Sequence, residues 1–266
     1  MMRIWFLLLF GPAALVAGDW TAKLEEASRC EAQGRWQAAA AIYQQALEEG
    51  AADPLDMELA LGQLAYYRGD YGDARRWYRR AEDRLRDAPQ SRRWPELLVG
   101  RAVLDVVEGR LTAAEVRLRR ALDFSQENGI RPLPGIFHNL ASIELQTGRL
   151  VDAERHQGDA LQVFRESLGA RHEEVRRAWI SYSTIAALRG DWPEAERRIR
   201  AALDIAESPE ALETYIVILE KQKRKKEARL LRERLGSASV ALPAANGIVD
   251  VQLLPRGAAS AVVMVK

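Results

Sequence analysis

Leu61-Gly62-Gln63-Leu64-Ala65-Tyr66-Tyr67-Arg68-Gly69-Asp70-Tyr71 carries an apolar stripe up to a glycine, and a second helical pattern starts directly behind it. Gly69 stands where a helix ends in a left-handed residue, a conformation that only glycine adopts freely. Tyr71 plugs the turn. Ala74 and Ala81 follow seven residues apart, which places both on one face of the next helix. Small side chains on that face let helices approach closely, and Tyr78 lies between them in the sequence.

The same pattern recurs. Gly34-Arg35-Trp36 is followed by Ala39 and Ala46, and Gly109-Arg110-Leu111 by Ala114 and Ala121. Gly148-Arg149-Leu150 leads to Ala153 and Ala160, and Gly190-Asp191-Trp192 to Ala195 and Ala202. Successive turn glycines lie 35 to 42 residues apart. A single helix pair of this size cannot bury its own apolar face, so the copies must stack on one another. A sixth unit is weaker: Pro209-Glu210 opens a helix, Lys223 replaces the turn glycine, and Ala228, Leu231 and Leu235 follow. The basic run Lys221 to Lys226 fits a terminal unit with a solvated outer face.

Five copies in phase resemble the tetratricopeptide repeat family over roughly residues 20 to 235. The Leu61-Gly62, Tyr66-Tyr67 and Gly69-Asp70-Tyr71 marks carry the likeness most clearly. The later copies resemble the variety found in kinesin light chains. Phe137-His138-Asn139-Leu140-Ala141 fits that subtype, as does Leu168-Gly169-Ala170-Arg171-His172-Glu173, except that Glu173 stands where the subtype has Pro. The resemblance implies an all-α, right-handed α-solenoid of about six antiparallel helix pairs. The expected repeats are about 20–50, 54–88, 94–128, 133–169, 172–207 and 209–235, between a leader at 1–18 and a tail at 236–266.

In such a family the first helix of each pair lines a concave groove. Carried over position by position, the resemblance assigns Gln63 and Tyr67 in the second copy and Val99 and Val103 in the third. It assigns His138, Asn139 and Ser142 in the fourth copy, and Arg177, Ser181 and Thr184 in the fifth. Asn139 is the residue of choice for a peptide backbone, since an amide side chain donates and accepts at once. Arg177 offers a fork that suits a carboxylate, and an inward His138 would make binding pH-sensitive. Tyr67 is read either as an aromatic platform or as packing between helices. The family's clamp for a C-terminal carboxylate is absent, because Leu24, Ser28, Leu59 and Gln63 occupy its positions. Arg75, Arg76, Arg79, Arg80 and Arg84 fall on a second helix and read as a solvated outer face.

The composition argues for a folded chain without a nucleic-acid footprint: Lys+Arg 39 against Asp+Glu 38 leaves a net charge of +1. Cys30 is the sole cysteine, so no intrachain disulfide or cysteine metal cage can form. His172-Glu173-Glu174-Val175-Arg176 starts like a zinc-protease motif but lacks the second histidine. No nucleophile elbow or phosphate loop is present, and neither an enzyme nor a cofactor is expected.

The N-terminus differs from the rest. Met1-Met2-Arg3 precedes the apolar run Ile4 to Val16, and Val16-Ala17-Gly18 supplies small residues before Asp19. That is the layout of a secretory signal peptide cleaved after Ala17 or Gly18, with an uncleaved membrane anchor as the alternative. At the other end, Ile248 to Leu254 alternates apolar with polar residues around Asp250 and Gln252, ahead of the turn Pro255-Arg256-Gly257. It reads as a small hairpin on the last helices or as a tail without fixed structure. The expected function is an exported, non-enzymatic, periplasmic or secreted scaffold that holds a protein or peptide in its groove. The alternative is a structural protein that self-associates into a homo-oligomer through its tail, with the groove unoccupied.

Overall fold

The computed structural model describes residues 17–50 and 53–239, and every regular element among them is an α-helix. The expected hairpin at 248–265 and most of the expected leader lie outside these residues. The helices pair in chain order: α1 Ala17–Ala32 with α2 Trp36–Glu48, α3 Pro54–Tyr67 with α4 Tyr71–Arg86, and α5 Trp94–Val107 with α6 Leu111–Glu127. Then come α7 Pro134–Gln146 with α8 Leu150–Leu168, α9 Glu173–Leu188 with α10 Trp192–Leu203, and α11 Pro209–Lys221 with α12 Lys225–Ser239. They form two compact units, one up to Ile130 and one from Arg131.

One turn joins the helices of every pair. Gly69 has φ 78°, its amide donates to the Tyr66 carbonyl at 2.9 Å, and the Asp70 amide reaches back to the Ala65 carbonyl at 2.9 Å. These two bonds satisfy carbonyls that the end of α3 would otherwise leave orphaned. The long bond recurs from Arg35 to Cys30, Arg110 to Asp105, Arg149 to Glu144, Asp191 to Ala186 and Arg224 to Leu219. In the sixth copy the backbone keeps the left-handed turn even though the residue is Lys223, at φ 63°. Starts are equally local in origin: Asp53, Asp70, Asp191 and Ser208 each accept a bond from an amide of the first turn.

Packing follows the alanine ruler. Ala39 and Ala46, Ala74 and Ala81, Ala114 and Ala121, Ala153 and Ala160, and Ala195 and Ala202 are all fully buried. Nine residues past each turn stands a larger plug, also buried: Tyr43, Tyr78, Leu118, Gln157 and Ile199. In the last pair that position is Arg232, exposed and paired with Glu220. A charged side chain there suits a terminal unit, and no further pair among the described residues packs against it.

The arginines of α4 do more than hydrate. Arg80 and Arg84 converge at 3.1 and 2.8 Å on Glu58 of α3, which is fully buried, while Arg75 pairs with Glu108 and Arg76 with Asp73. All five of the predicted arginines are exposed, as a solvated face requires, and two of them also neutralise a buried carboxylate, which needs cationic partners. Cys30 is buried in the first unit's core.

Candidate peptide-binding site

In the first unit the structure brings Gln63 and Tyr67 together on α3. The exposed Gln63 amide donates to the Tyr67 hydroxyl at 3.2 Å. The Tyr67 ring stacks on Trp36 of α2 with centroids 4.8 Å apart, and Tyr66 meets it edge-on. Tyr67 is half-buried against Trp36, and Gln63 is the exposed member of the pair. Val99 is half-buried and Val103 buried on α5.

In the second unit, His138, Asn139 and Ser142 lie along one stripe of α7, and Arg177, Ser181 and Thr184 along one stripe of α9, as three- and four-residue spacings require. Lining an open groove requires exposure, and the neighbouring helices deny it to most of them. His138, Asn139, Ser142, Ser181 and Thr184 are all buried, and Arg177 is half-buried. Thr184 satisfies its own hydroxyl by donating to the Ile180 carbonyl at 3.1 Å. Arg177 is engaged by Glu173 and Glu174 on its own helix.

The histidine belongs to a relay through three helices. Gln157 of α8 donates its amide to the Ala178 carbonyl of α9 at 3.1 Å, which turns its oxygen toward His138 Nδ1, also at 3.1 Å. Nδ1 therefore carries the proton and Nε2 presents a bare lone pair. Burial holds the imidazole neutral, with its pKa pushed down to about 4. His138 Nε2 and the Asn139 side-chain nitrogen are both buried and have no hydrogen-bond partner among the described residues. An unmet buried donor or acceptor costs about 1–3 kcal/mol. The region thus holds one acceptor and one donor in need of partners.

Some of the polar structure was not visible in the sequence. His156 of α8 lies 2.7 Å from Glu144 of α7, both buried. Arg198 of α10 sits 3.6 Å over the Tyr182 ring and bonds Glu154 and the Tyr182 carbonyl. The only sequence signal for either was a charged residue at a turn-relative position where other copies carry Ile42, Trp77 or Leu231. No group of three or more His, Cys, Asp or Glu among the described residues is placed to hold a metal. No described helix is long and apolar enough to cross a membrane.

Comparison with known proteins agrees with this architecture. Two family models described as Tetratricopeptide repeat match residues 23–58, spanning α1, α2 and the start of α3, and residues 133–208, spanning α7 to α10. No curated protein matches the chain. Among solved structures, BtubC (BKLC) from P. vanneervenii is similar at TM-score 0.61 and 23% identity, covering 84% of this chain and 92% of that one. A kinesin light chain from Podosopora anserina with nearly identical TPR-like repeats is similar at TM-score 0.58 and 13% identity, over 71% and 96% of the two chains. PilW, a widely conserved type IV pilus biogenesis factor, gives TM-score 0.63 at 16% identity, over 85% and 95%. With the repeat models lying on helix pairs that share one turn and one alanine ruler, this chain is a tetratricopeptide repeat protein.

Proposed function

We propose that the chain binds an extended peptide segment of a partner protein along α7 and α9. The fold is that of a protein-interaction scaffold. The observation that carries the finer reading is the buried, unpartnered Asn139 amide nitrogen next to the unpartnered His138 Nε2. Outward rotation of both buried side chains would let Asn139 donate to a peptide carbonyl and His138 Nε2 accept a peptide N–H. Both would relieve a polar deficit that the free protein carries. Arg177, half-buried and held by two glutamates, stands at the edge of the same unit as a second contact.

The test is binding to peptides selected from a displayed library, measured for wild type, Asn139→Ala and Arg177→Ala. Loss of one hydrogen-bonded contact lowers affinity by roughly tenfold, equivalent to about 1.4 kcal/mol, while helical content stays unchanged. Equal binding by wild type and both variants would move the site off α7 and α9. Tail-mediated self-association is the second reading, and a sedimentation shift on deleting residues 240–266 would favour it.

Export belongs to the same proposal. It rests on Arg3, the apolar run Ile4 to Val16 and the small residues before Asp19. Similarity to a pilus biogenesis factor is consistent with an envelope location. Mass spectrometry of the chain from expressing cells should find an N-terminus at Gly18 or Asp19. An intact Met1 on chain that co-sediments with membranes would establish the anchor instead.

A further inference from the structure

The last pair differs from the three before it in one place. Four residues before the turn and eight after it, each pair sets two side chains against each other between its helices. In the third pair these are Asp105 and Arg117, 2.9 Å apart, and in the fourth Glu144 and His156. In the fifth, Arg198 fills the space over Tyr182. The sixth pair has Leu219 and Leu231 at these positions, with Tyr215 beside them, and they line a groove of about 540 Å³ rimmed by Glu227, Glu233 and Arg234. Its lip is Leu230, 60% exposed. The matching solvent-facing positions elsewhere are Ala41, Arg76, Val116, Arg155 and Arg197. The filling is charged or polar in the third to fifth pairs and apolar in the first (Cys30, Ile42), the second (Ala65, Trp77) and the last, and only the last pair sets a leucine lip above it.

The segment that follows this pair has the complementary pattern. From Ile248 to Leu254 the chain alternates, so Val249, Val251 and Leu253 share one face in an extended conformation while Asp250 and Gln252 share the other. It is also within reach. Leu230 lies nine residues before the end of α12 at Ser239, about 14 Å back along the axis. The eight residues 240–247 span up to roughly 26 Å extended, and Asn246-Gly247 supplies a reversal.

We infer that residues 248–254 of the same chain dock in the groove between α11 and α12, covering Leu230, Leu231 and Tyr215 and closing the end of the repeat array. The tail is then an intramolecular cap.

The experiment uses the full chain carrying Leu230→Cys, with native Cys30 buried and silent. Labelling by a maleimide follows the fraction of time the groove is open. Adding Val249→Asp, Val251→Asp and Leu253→Asp should speed labelling by roughly tenfold or more. Equal rates overturn the proposal. Protection should be independent of protein concentration, and protection lost on dilution would make a second copy the occupant and overturn docking in cis. As a second readout, tryptic cleavage after Arg256 should be slow in the unmodified chain and fast in Leu230→Asp. Cleavage at one rate in both would also refute it.

Discussion

Tyr78 of α4 touches Gly100 of α5 so closely that a β-carbon on Gly100 would fall 2.5 Å from its ring carbon Cζ. A β-carbon on Gly62 of α3 would likewise fall 2.5 Å from Cε1 of the same ring. The ring packs directly on two bare backbones, which explains why the leucine-glycine pair at 61–62 accompanies a tyrosine nine residues past the turn. A second contact of this kind is looser: a β-carbon on Gly158 would meet the Tyr182 hydroxyl at 3.2 Å.

Gly100→Ala should therefore destabilise the first unit. Helix propensity favours alanine by about 1 kcal/mol, while overpacking costs about 1–3 kcal/mol. The ring is already held tightly against Gly62 as well, so the steric term is expected to win. Urea unfolding should show a net loss, and Tyr78→Leu in the Gly100→Ala background should recover part of it. A stabilised Gly100→Ala would show that the ring can shift.

Lys223→Gly should act in the opposite direction. A side chain in the left-handed region costs about 1–2 kcal/mol, and the turn at Lys223 uses the same bonds as its glycine counterparts. A gain on the order of 1 kcal/mol in unfolding free energy is expected, and an unchanged or lowered midpoint would contradict it.

His156→Leu should be costly, because it leaves Glu144 buried without its partner. Breaking such a pair costs about 3–5 kcal/mol, whereas replacing both members with apolar groups is often close to neutral. The sixth pair carries that replacement as Leu219 and Leu231. Glu144→Leu/His156→Leu should consequently be markedly more stable than His156→Leu in chemical unfolding. Equal losses would show that the contact between His156 and Glu144 is not the cause.

His138 should make stability fall with acid. Its folded pKa is about 4 against an ordinary value of 6.5. Below 6.5 the unfolded chain takes up a proton that the folded chain refuses until about pH 4. The contribution is complete above pH 6.5 and amounts to about 2 kcal/mol lost at pH 5. Glu31, whose pKa burial raises to about 7, titrates in the same window with the opposite sign. The check is therefore the difference between wild type and His138→Gln at pH 7 and pH 5, where Glu31 cancels. No difference in slope would mean that His138 is solvated.

The helical hairpin and its repetition were legible because their causes are local. A left-handed turn residue, a plug and two alanines seven apart act within about twelve residues, and each copy states them afresh. Even the substitution at Lys223 could be located, since the backbone around it is dictated by neighbours on both sides. The candidate site was legible only as two stripes of positions. Where the side chains of His138, Asn139, Ser181 and Thr184 end depends on how tightly α8 and α9 close over them.

By itself, then, the sequence determined the repeat, its phase, its helices and its all-α class, because backbone conformation and helix-face periodicity are set by residues close along the chain. Only the tertiary structure decided which polar atoms would be met. It gave Gln157 to His138 and His156 to Glu144, and two arginines to Glu58. It left the Asn139 side-chain nitrogen without a partner among the described residues and opened an apolar groove beside Leu219 and Leu231. Hydrogen bonds and ion pairs have a range of about 3 Å, so they depend on which distant residues the packing brings within reach, and a one-dimensional pattern does not contain that distance.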